Sequence, residues 1–217
     1  MKRTVLLLAL SVIAWQMNAQ INEPGKFYLT PKVGYNMANI TLLDKFGADP
    51  RHGINAGIAA EYAINNMISI EPGFFYSMQG SVIKAGTVKL HLNSDYFVMP
   101  VLVKTYLSKG LNVFAGPAFG YLTSSRFRVK SGIRVVDVIT DIVSKNIDLT
   151  KYENEFDAAF VFGLGYQLDN GFNISANYSL GMLNVPKLGD IKIGDQTYTL
   201  DPDAKNTVLQ VNIGYRF

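Results

Sequence analysis

The last ten residues, V-L-Q-V-N-I-G-Y-R-F from Val208 to Phe217, alternate apolar and polar side chains without a break. Successive side chains of a β-strand point to opposite faces, so this stretch predicts a strand with one apolar and one polar face. A strand in the wall of a transmembrane barrel has this pattern, with apolar residues toward lipid and polar residues toward the interior. The outward set is Leu209, Val211, Ile213, Tyr215 and Phe217, and the inward set is Gln210, Asn212, Gly214 and Arg216.

Seven further segments repeat the alternation, which makes eight predicted strands. Between the strands, short turns at Asn65-Asn66, 108–110 and 169–171 alternate with long loops at about 41–53, 80–94, 123–155 and 184–205. Alternating short and long connections are typical of outer-membrane barrels, whose short turns are periplasmic. The predicted fold is all-β, an eight-stranded antiparallel up-and-down transmembrane β-barrel with both termini periplasmic. The predicted strands are 27–40, 54–64, 68–79, 96–106, 111–122, 156–168, 172–183 and 208–217.

Outward aromatic residues fall near the strand ends, where Tyr and Phe favour the membrane interfaces. Tyr62, Tyr166, Phe172, Tyr215 and Phe217 lie at the short-turn ends, and Tyr35, Tyr76, Tyr121 and Tyr178 lie toward the long loops. The alternative is a soluble sandwich or lipocalin-like barrel. Such a barrel would turn its apolar face inward, whereas here nearly every charge within a strand shares a face with glycine.

The fourth strand is apolar on both faces at its start, so its register depends on Lys104. We expect Phe97, Met99, Val101 and Val103 to face lipid, because the other register would turn Lys104 toward lipid. A lysine on the lipid face near the midplane costs up to about 2–4 kcal/mol.

The start of the chain predicts the compartment. Lys2 and Arg3, the apolar run 5–14 and Ala19 form the pattern of a cleaved secretory signal peptide over residues 1–19, followed by a barrel domain over 20–217. Removing Lys2 and Arg3 lowers the formal charge from +3 to +1, and the remaining chain has no basic cluster typical of nucleic-acid binding. The absence of Cys excludes disulfides, thiolate metal sites and a cysteine nucleophile. No cofactor is predicted.

Six inward charges predict a polar network in the lumen. An eight-stranded barrel is only wide enough for side chains to fill, so a hydrogen-bonded plug is favoured over a small solute channel. Paired buried charges would also specify strand register. The six residues are Lys32, Glu61, Glu71, Lys104, Asp157 and Arg216.

The long-loop ends contain the candidate binding residues. The loop 123–155 begins with four cationic residues, Arg126, Arg128, Lys130 and Arg134, which suit the phosphates of lipopolysaccharide. The same loop could instead simply extend the strands beyond the membrane, and its 135–143 segment could form a short amphipathic helix or part of that hairpin. Residues 189–200 alternate like another hairpin.

Two rim histidines keep an enzymatic alternative open. His52 and His91 both lie near the rim, and rim histidines are compatible with a lipid-modifying outer-membrane enzyme as well as with solvated loops. The loop residues Asp195, Asp201 and Asp203 match no calcium-binding spacing, so we predict no metal site and no catalytic residues.

Several motifs resemble the PorT-like outer-membrane β-barrel family, which has the barrel architecture of OmpA and OmpX. They are F-V-M-P-V-L-V-K at 97–104, G-P-A-F-G-Y-L at 116–122, F-G-L-G-Y-Q-L at 162–168, Y-S-L-G-M-L-N at 178–184 and the closing strand. The family often has Glu two residues before the strand-four Pro, where this chain has Val98. The resemblance implies a Gram-negative envelope component, in some members an accessory of protein secretion, with an envelope protein as partner. It also implies that Tyr215 and Phe217 form a C-terminal signal for the outer-membrane assembly machinery.

Overall fold

The alternating segments form a closed barrel. A computed structural model describes residues 22–41, 48–85, 88–131, 147–148, 154–185, 191–193, 196–198 and 204–217. The described strands are β1 (Phe27–Ile40), β2 (Asp49–Ala63), β3 (Ile68–Ala85), β4 (Val88–Ser108), β5 (Leu111–Ser131), β6 (Ile147–Asp148), β7 (Phe156–Gln167), β8 (Phe172–Asn184), β9 (Ile191–Ile193), β10 (Gln196–Tyr198) and β11 (Lys205–Tyr215).

Eight of these strands make the wall, each antiparallel to its neighbours. The order around the barrel is β4, β3, β2, β1, β11, β8, β7 and β5, and pairing of β4 with β5 closes the ring. Closure satisfies the hydrogen-bonding groups at every strand edge, which is required within a bilayer. The predicted fold class is therefore confirmed.

The two faces of the wall have the predicted composition. In the β1–β11 pair, Asn36 lies opposite Gln210 and both face the interior, whereas Tyr35 lies opposite Val211 and both are exposed. The strand-four register is also as predicted, because Val101 and Val103 are exposed and Lys104 is 3% exposed. Apolar side chains thus cover the outside of the barrel.

One end of the barrel, called here the turn end, carries three short connections. β2 and β3 are joined by residues 64–67, β4 and β5 by Lys109-Gly110, and β7 and β8 by residues 168–171. Residues 22–26 and Phe217 lie at the same end, since Gly25 donates to the Ala63 carbonyl and Phe217 donates to the Leu29 carbonyl. The opposite end is called the loop end.

The Asn65-Asn66 turn is present, but it does not depend on the tolerance of Asn for positive φ. Among the described non-glycine residues, positive φ occurs at Lys109 alone, so Asn65 and Asn66 do not use it. Instead the Asn65 side-chain oxygen accepts hydrogen bonds from the backbone N–H groups of Met67 and Ile68, both at 2.8 Å. Asn is suited to this turn by its side-chain acceptor.

The predicted long loop at 80–94 was wrong. β3 continues to Ala85 and β4 begins at Val88, with pairing maintained from Gly80–Asn93 to Ala85–Val88. β2 likewise begins at Asp49 instead of Ile54, and β5 continues to Ser131 instead of Leu122. In the sequence S-V-I-K-A-G-T-V-K-L-H-L, a Gly-Thr pair separates two alternating segments, a pattern that favours a hairpin.

Between β8 and β11 in the chain, β9 and β10 pair with each other and form the hairpin expected in 189–200. The 135–143 segment and the signal peptide lie outside the described residues. None of the helical segments among the described residues has the length and hydropathy to span a bilayer.

Candidate functional site

Five charged side chains, four from β1–β4 and one from just after the end of β11, meet inside the turn-end half of the barrel. This interior charge cluster consists of Lys32, Glu61, Glu71, Lys104 and Arg216. Lys104 Nζ donates to both carboxylates, at 2.9 Å to Glu61 Oε2 and in a closer contact to Glu71 Oε2. Lys32 Nζ donates to Glu71 Oε1 at 2.6 Å. β2 and β3 thus supply the carboxylates for Lys104 on β4, without a Glu at position 98.

Glu61 also accepts hydrogen bonds from polar neighbours and lies near a second cation. The hydroxyls of Ser69 and Tyr106 each donate to Glu61 Oε1 at 2.7 Å. Arg216 Nη2 lies 4.0 Å from the same oxygen. Because hydrogen bonds and cations surround it, the buried carboxylate is compensated rather than isolated.

Arg216 also holds the start of the described chain. Its Nη2 donates to Asn22 Oδ1 at 2.8 Å, and its guanidinium carbon lies 3.4 Å from the centre of the Tyr28 ring. Asn22 is fully buried, although it precedes the first strand. Asn22 therefore lies inside the turn-end mouth, a contact that sequence alternation does not indicate.

Asp157 was grouped with these residues in the sequence analysis, but the structure places it apart. Its Oδ2 accepts a hydrogen bond from Asn206 Nδ2 at 3.0 Å, in a cavity of about 20 Å³ that Tyr96 also lines. The predicted network is therefore divided between the five-residue cluster and a smaller Asp157 site.

Between these two regions lies a central cavity of about 70 Å³. Asn55, Asn177, Gln210 and Asn212 line one side, and apolar residues including Leu102, Phe114 and Val161 line the other. Amide hydrogen bonds connect the polar side, from Asn177 to Gln210 at 2.8 Å and from Asn212 to Asn177 at 3.0 Å. The cavity is large enough for a few water molecules, each of which needs roughly 10–15 Å³.

A second concave site lies on the outer surface at the loop end. This rim groove has a volume of about 560 Å³, and its polar lining includes Arg51, His52, Tyr76, His91, Asp95 and Arg126. Asp95 is held from two sides, since Arg51 Nη1 donates to Oδ1 at 2.9 Å and the Tyr76 hydroxyl donates to Oδ2 at 3.0 Å. His52 Nδ1 lies 2.5 Å from the Tyr35 hydroxyl.

The groove brings together residues that are distant in the sequence. Both rim histidines line it, as does Arg126 from the predicted recognition loop. Arg128 and Lys130 lie on β5 opposite His91 and Lys89, and Arg134 lies outside the described residues. Sequence reasoning did not assign Arg51 or Tyr76 to a site, because their proximity to the histidines depends on the extended β2–β3–β4 register.

No group of three or more His, Asp or Glu among the described side chains could hold a metal ion. Asp195, Asp201 and Asp203, considered above for calcium, lie outside the described residues.

A family model described as "Outer membrane protein beta-barrel domain" matches residues 18–185 of the chain. No curated protein matches the chain. Among solved structures, the chain is similar to Ail, the attachment invasion locus protein of Yersinia pestis, with 16% identity and a TM-score of 0.48, covering 90% of this chain and 100% of Ail. It is also similar to Neisserial surface protein A, with 13% identity and a TM-score of 0.47, covering 90% of this chain and 100% of that protein.

Proposed function

The chain belongs to the outer membrane protein β-barrel domain family, and from this we propose that it is a non-enzymatic interaction component of the bacterial outer membrane. In this proposal the signal peptide is removed after Ala19, the turn end with both termini is periplasmic, and the loop end contacts lipopolysaccharide and an envelope protein. The resemblance to PorT-like barrels favours an accessory role in secretion or envelope assembly.

The height of one side of the barrel carries the proposal. β4 and β5 each have 21 residues, whereas a membrane-spanning strand needs about 9–11. β3, with 18 residues, pairs with β4 along this additional length. β1 and β7, with 14 and 12 residues, do not match that length. A sheet that continues past the membrane on one side gives a partner a stable surface to contact.

Two features support a binding role over catalysis or transport. The interior charge cluster fills the turn-end half of the lumen with paired side chains. In the rim groove, the Asp95 carboxylate is engaged by Arg51 and Tyr76, and His52 contacts Tyr35. Asp95 is therefore committed to other contacts rather than orienting an imidazole, which is the role a carboxylate has in a catalytic triad.

The second candidate is a rim-active lipid-modifying enzyme, favoured by the presence of both histidines in one groove. Replacing His52 and His91 with Ala, singly and together, and assaying lipid modification in membranes distinguishes the two functions. Loss of a lipid modification in either variant would favour the enzyme.

Site-specific cross-linking tests the interaction role. A photo-reactive residue at position 90, on the β4 extension, is expected to capture an envelope protein in intact cells, identified by mass spectrometry. The same residue at position 33 on the lipid-facing wall is the matched control, since Val33 is 57% exposed on the barrel exterior.

A shortened protein provides a second test of the same surface. Replacing residues 83–90 by an Asn-Gly turn, which suits a two-residue hairpin, should remove the partner while the barrel still assembles. The proposal would be contradicted if the photo-reactive residue at position 90 cross-linked no other protein. It would also be contradicted if the residue at position 33 captured the same protein to the same extent.

A further inference from the structure

We propose that the rim groove binds the phosphate of an anionic glycolipid in the outer leaflet. This goes beyond a general contact with lipopolysaccharide, because it assigns the contact to a groove on the outer wall formed by β2–β5 instead of to the loop that follows β5. It rests on the outer-membrane orientation of the proposed function but does not require a protein partner.

The groove opens to the outside of the barrel. On β3, Tyr76 and Met78 share the outward face, whereas Ser77 and Gln79 between and beyond them are buried. On β4, Asp95 shares its face with the exposed Phe97, whereas Ser94 and Tyr96 are buried. A ligand in the groove is therefore reached from the lipid headgroups and not from the lumen.

The groove lies at headgroup height. Its floor begins beside the aromatic residues Tyr76 and Phe97, which are paired across β3 and β4. Met78 lies two residues further along β3 and Gly80 four residues further, and Asn93 and Arg126 are in register with Gly80. With a rise of about 3.3 Å per residue and a tilt of about 40°, these levels are roughly 5 and 10 Å above Tyr76. Interfacial Tyr marks the edge of the hydrocarbon region, so both levels lie among the polar headgroups.

The polar lining fits a phosphate. Arg51 and Arg126 both line the groove, so two guanidinium groups are available to one ligand. Asp95 and the Gln79 carbonyl both accept from Arg51 Nη1, and a guanidinium has further donors on its other two nitrogens. Arginine forks bind phosphate by charge-assisted hydrogen bonds.

The apolar part of the lining favours a lipid over a soluble anion, and the charges favour an anionic one. Met78, Val82 and Pro50 add apolar surface to the lining, which suits the sugar ring and acyl chains next to a phosphate. The acid Asp95 is already neutralised by Arg51. Among the described side chains that line the groove, two arginines, Arg51 and Arg126, therefore stand against one carboxylate.

Lipid retention on the purified full-length protein tests the site. The probe is bisphosphorylated lipid A in mixed vesicles, compared with the same glycolipid after dephosphorylation, and bound lipid is counted by native mass spectrometry. We expect affinity to fall about tenfold for Arg126→Gln and further for Arg51→Gln/Arg126→Gln, which corresponds to about 1.4 kcal/mol for each tenfold change. Lys26→Gln, which removes an exposed cation at the turn end, should leave affinity unchanged.

Further outcomes distinguish a lipid phosphate from inorganic phosphate, and separate this proposal from that of a protein partner. Equal retention of the dephosphorylated glycolipid, or unchanged affinity in Arg126→Gln, would overturn the site. Displacement of the lipid by excess inorganic phosphate would also overturn it and indicate a simple anion site. Arg126 is exposed, so its single variant keeps the test valid if Arg51→Gln impairs folding. Protease accessibility of the loop end checks orientation separately, and a failed search for a protein partner leaves the lipid result intact.

Discussion

Lys104 connects the two carboxylates of the interior charge cluster, and its inward direction is predictable from sequence. The free-energy cost of turning a lysine toward lipid is enough to predict this direction. Lys104 lies inside the barrel at 3% exposure. Its partners are not predictable in the same way. Alternation identifies the inward residues but not their height in the barrel, which depends on strand stagger. This is why Asp157 was grouped with residues that it does not contact.

Replacing Lys104 with Met should destabilise the barrel by about 3–5 kcal/mol, because Glu61 and Glu71 would lose their shared cation in a buried site. Lys109→Met, at an exposed turn, is the matched control and should have little effect. Urea unfolding of both variants in lipid vesicles gives the comparison. A loss below about 1 kcal/mol in Lys104→Met would show that the ion pairs contribute little to stability.

Phe217 and Phe156 are outward aromatic residues with similar exposure, 71% and 67%. If the closing strand carries the assembly signal, Phe217→Ala should slow insertion into the outer membrane in cells, whereas Phe156→Ala should not. Pulse-chase appearance of the folded, heat-modifiable form measures insertion. Equal effects of the two replacements would mean that Phe217 serves only as an interfacial aromatic.

The membrane-spanning parts of the strands were predictable because the lipid-facing side must be apolar. The extensions of β2–β5 were missed, since a strand above the membrane has no such requirement. In V-K-L-H-L-N at 88–93, alternation is still visible, but His91 and Asn93 lie on the face that is apolar within the membrane. A prediction that requires an apolar lipid-facing side therefore ends the strands β2–β5 short of their full length.

Close contact between β1 and β11 depends on glycine at position 34. A Cβ there would overlap the Asn212 side-chain oxygen and lie 2.6 Å from the Val211 carbonyl oxygen. A Cβ at Gly120 would lie 3.3 Å from its nearest neighbour, the Asp157 Cβ. Gly34→Ala should therefore lower the urea midpoint clearly more than Gly120→Ala. Similar midpoints would show that β1 and β11 can separate slightly at low cost.

The whole barrel is expected to be closed to ions. The interior charge cluster occupies the turn-end half, and the central cavity has a volume of only about 70 Å³. Planar bilayers containing the purified protein should show no stable conductance. Reproducible openings of the unaltered protein would support the small solute channel considered from the sequence.

Because the wall is taller on one side, a long strand such as β4 lies partly within the membrane and partly beyond it. The amides of β4 near Lys104 lie between lipid and a filled lumen, whereas those near Val88 belong to the extension beyond the membrane. Hydrogen exchange follows local opening, which is rarer where a backbone bond is shielded from water on both sides. In deuterated buffer, the amides of β4 should therefore exchange over minutes or less near Val88 and over far longer times near Lys104. The position of the change along the strand would mark the membrane surface on the molecule.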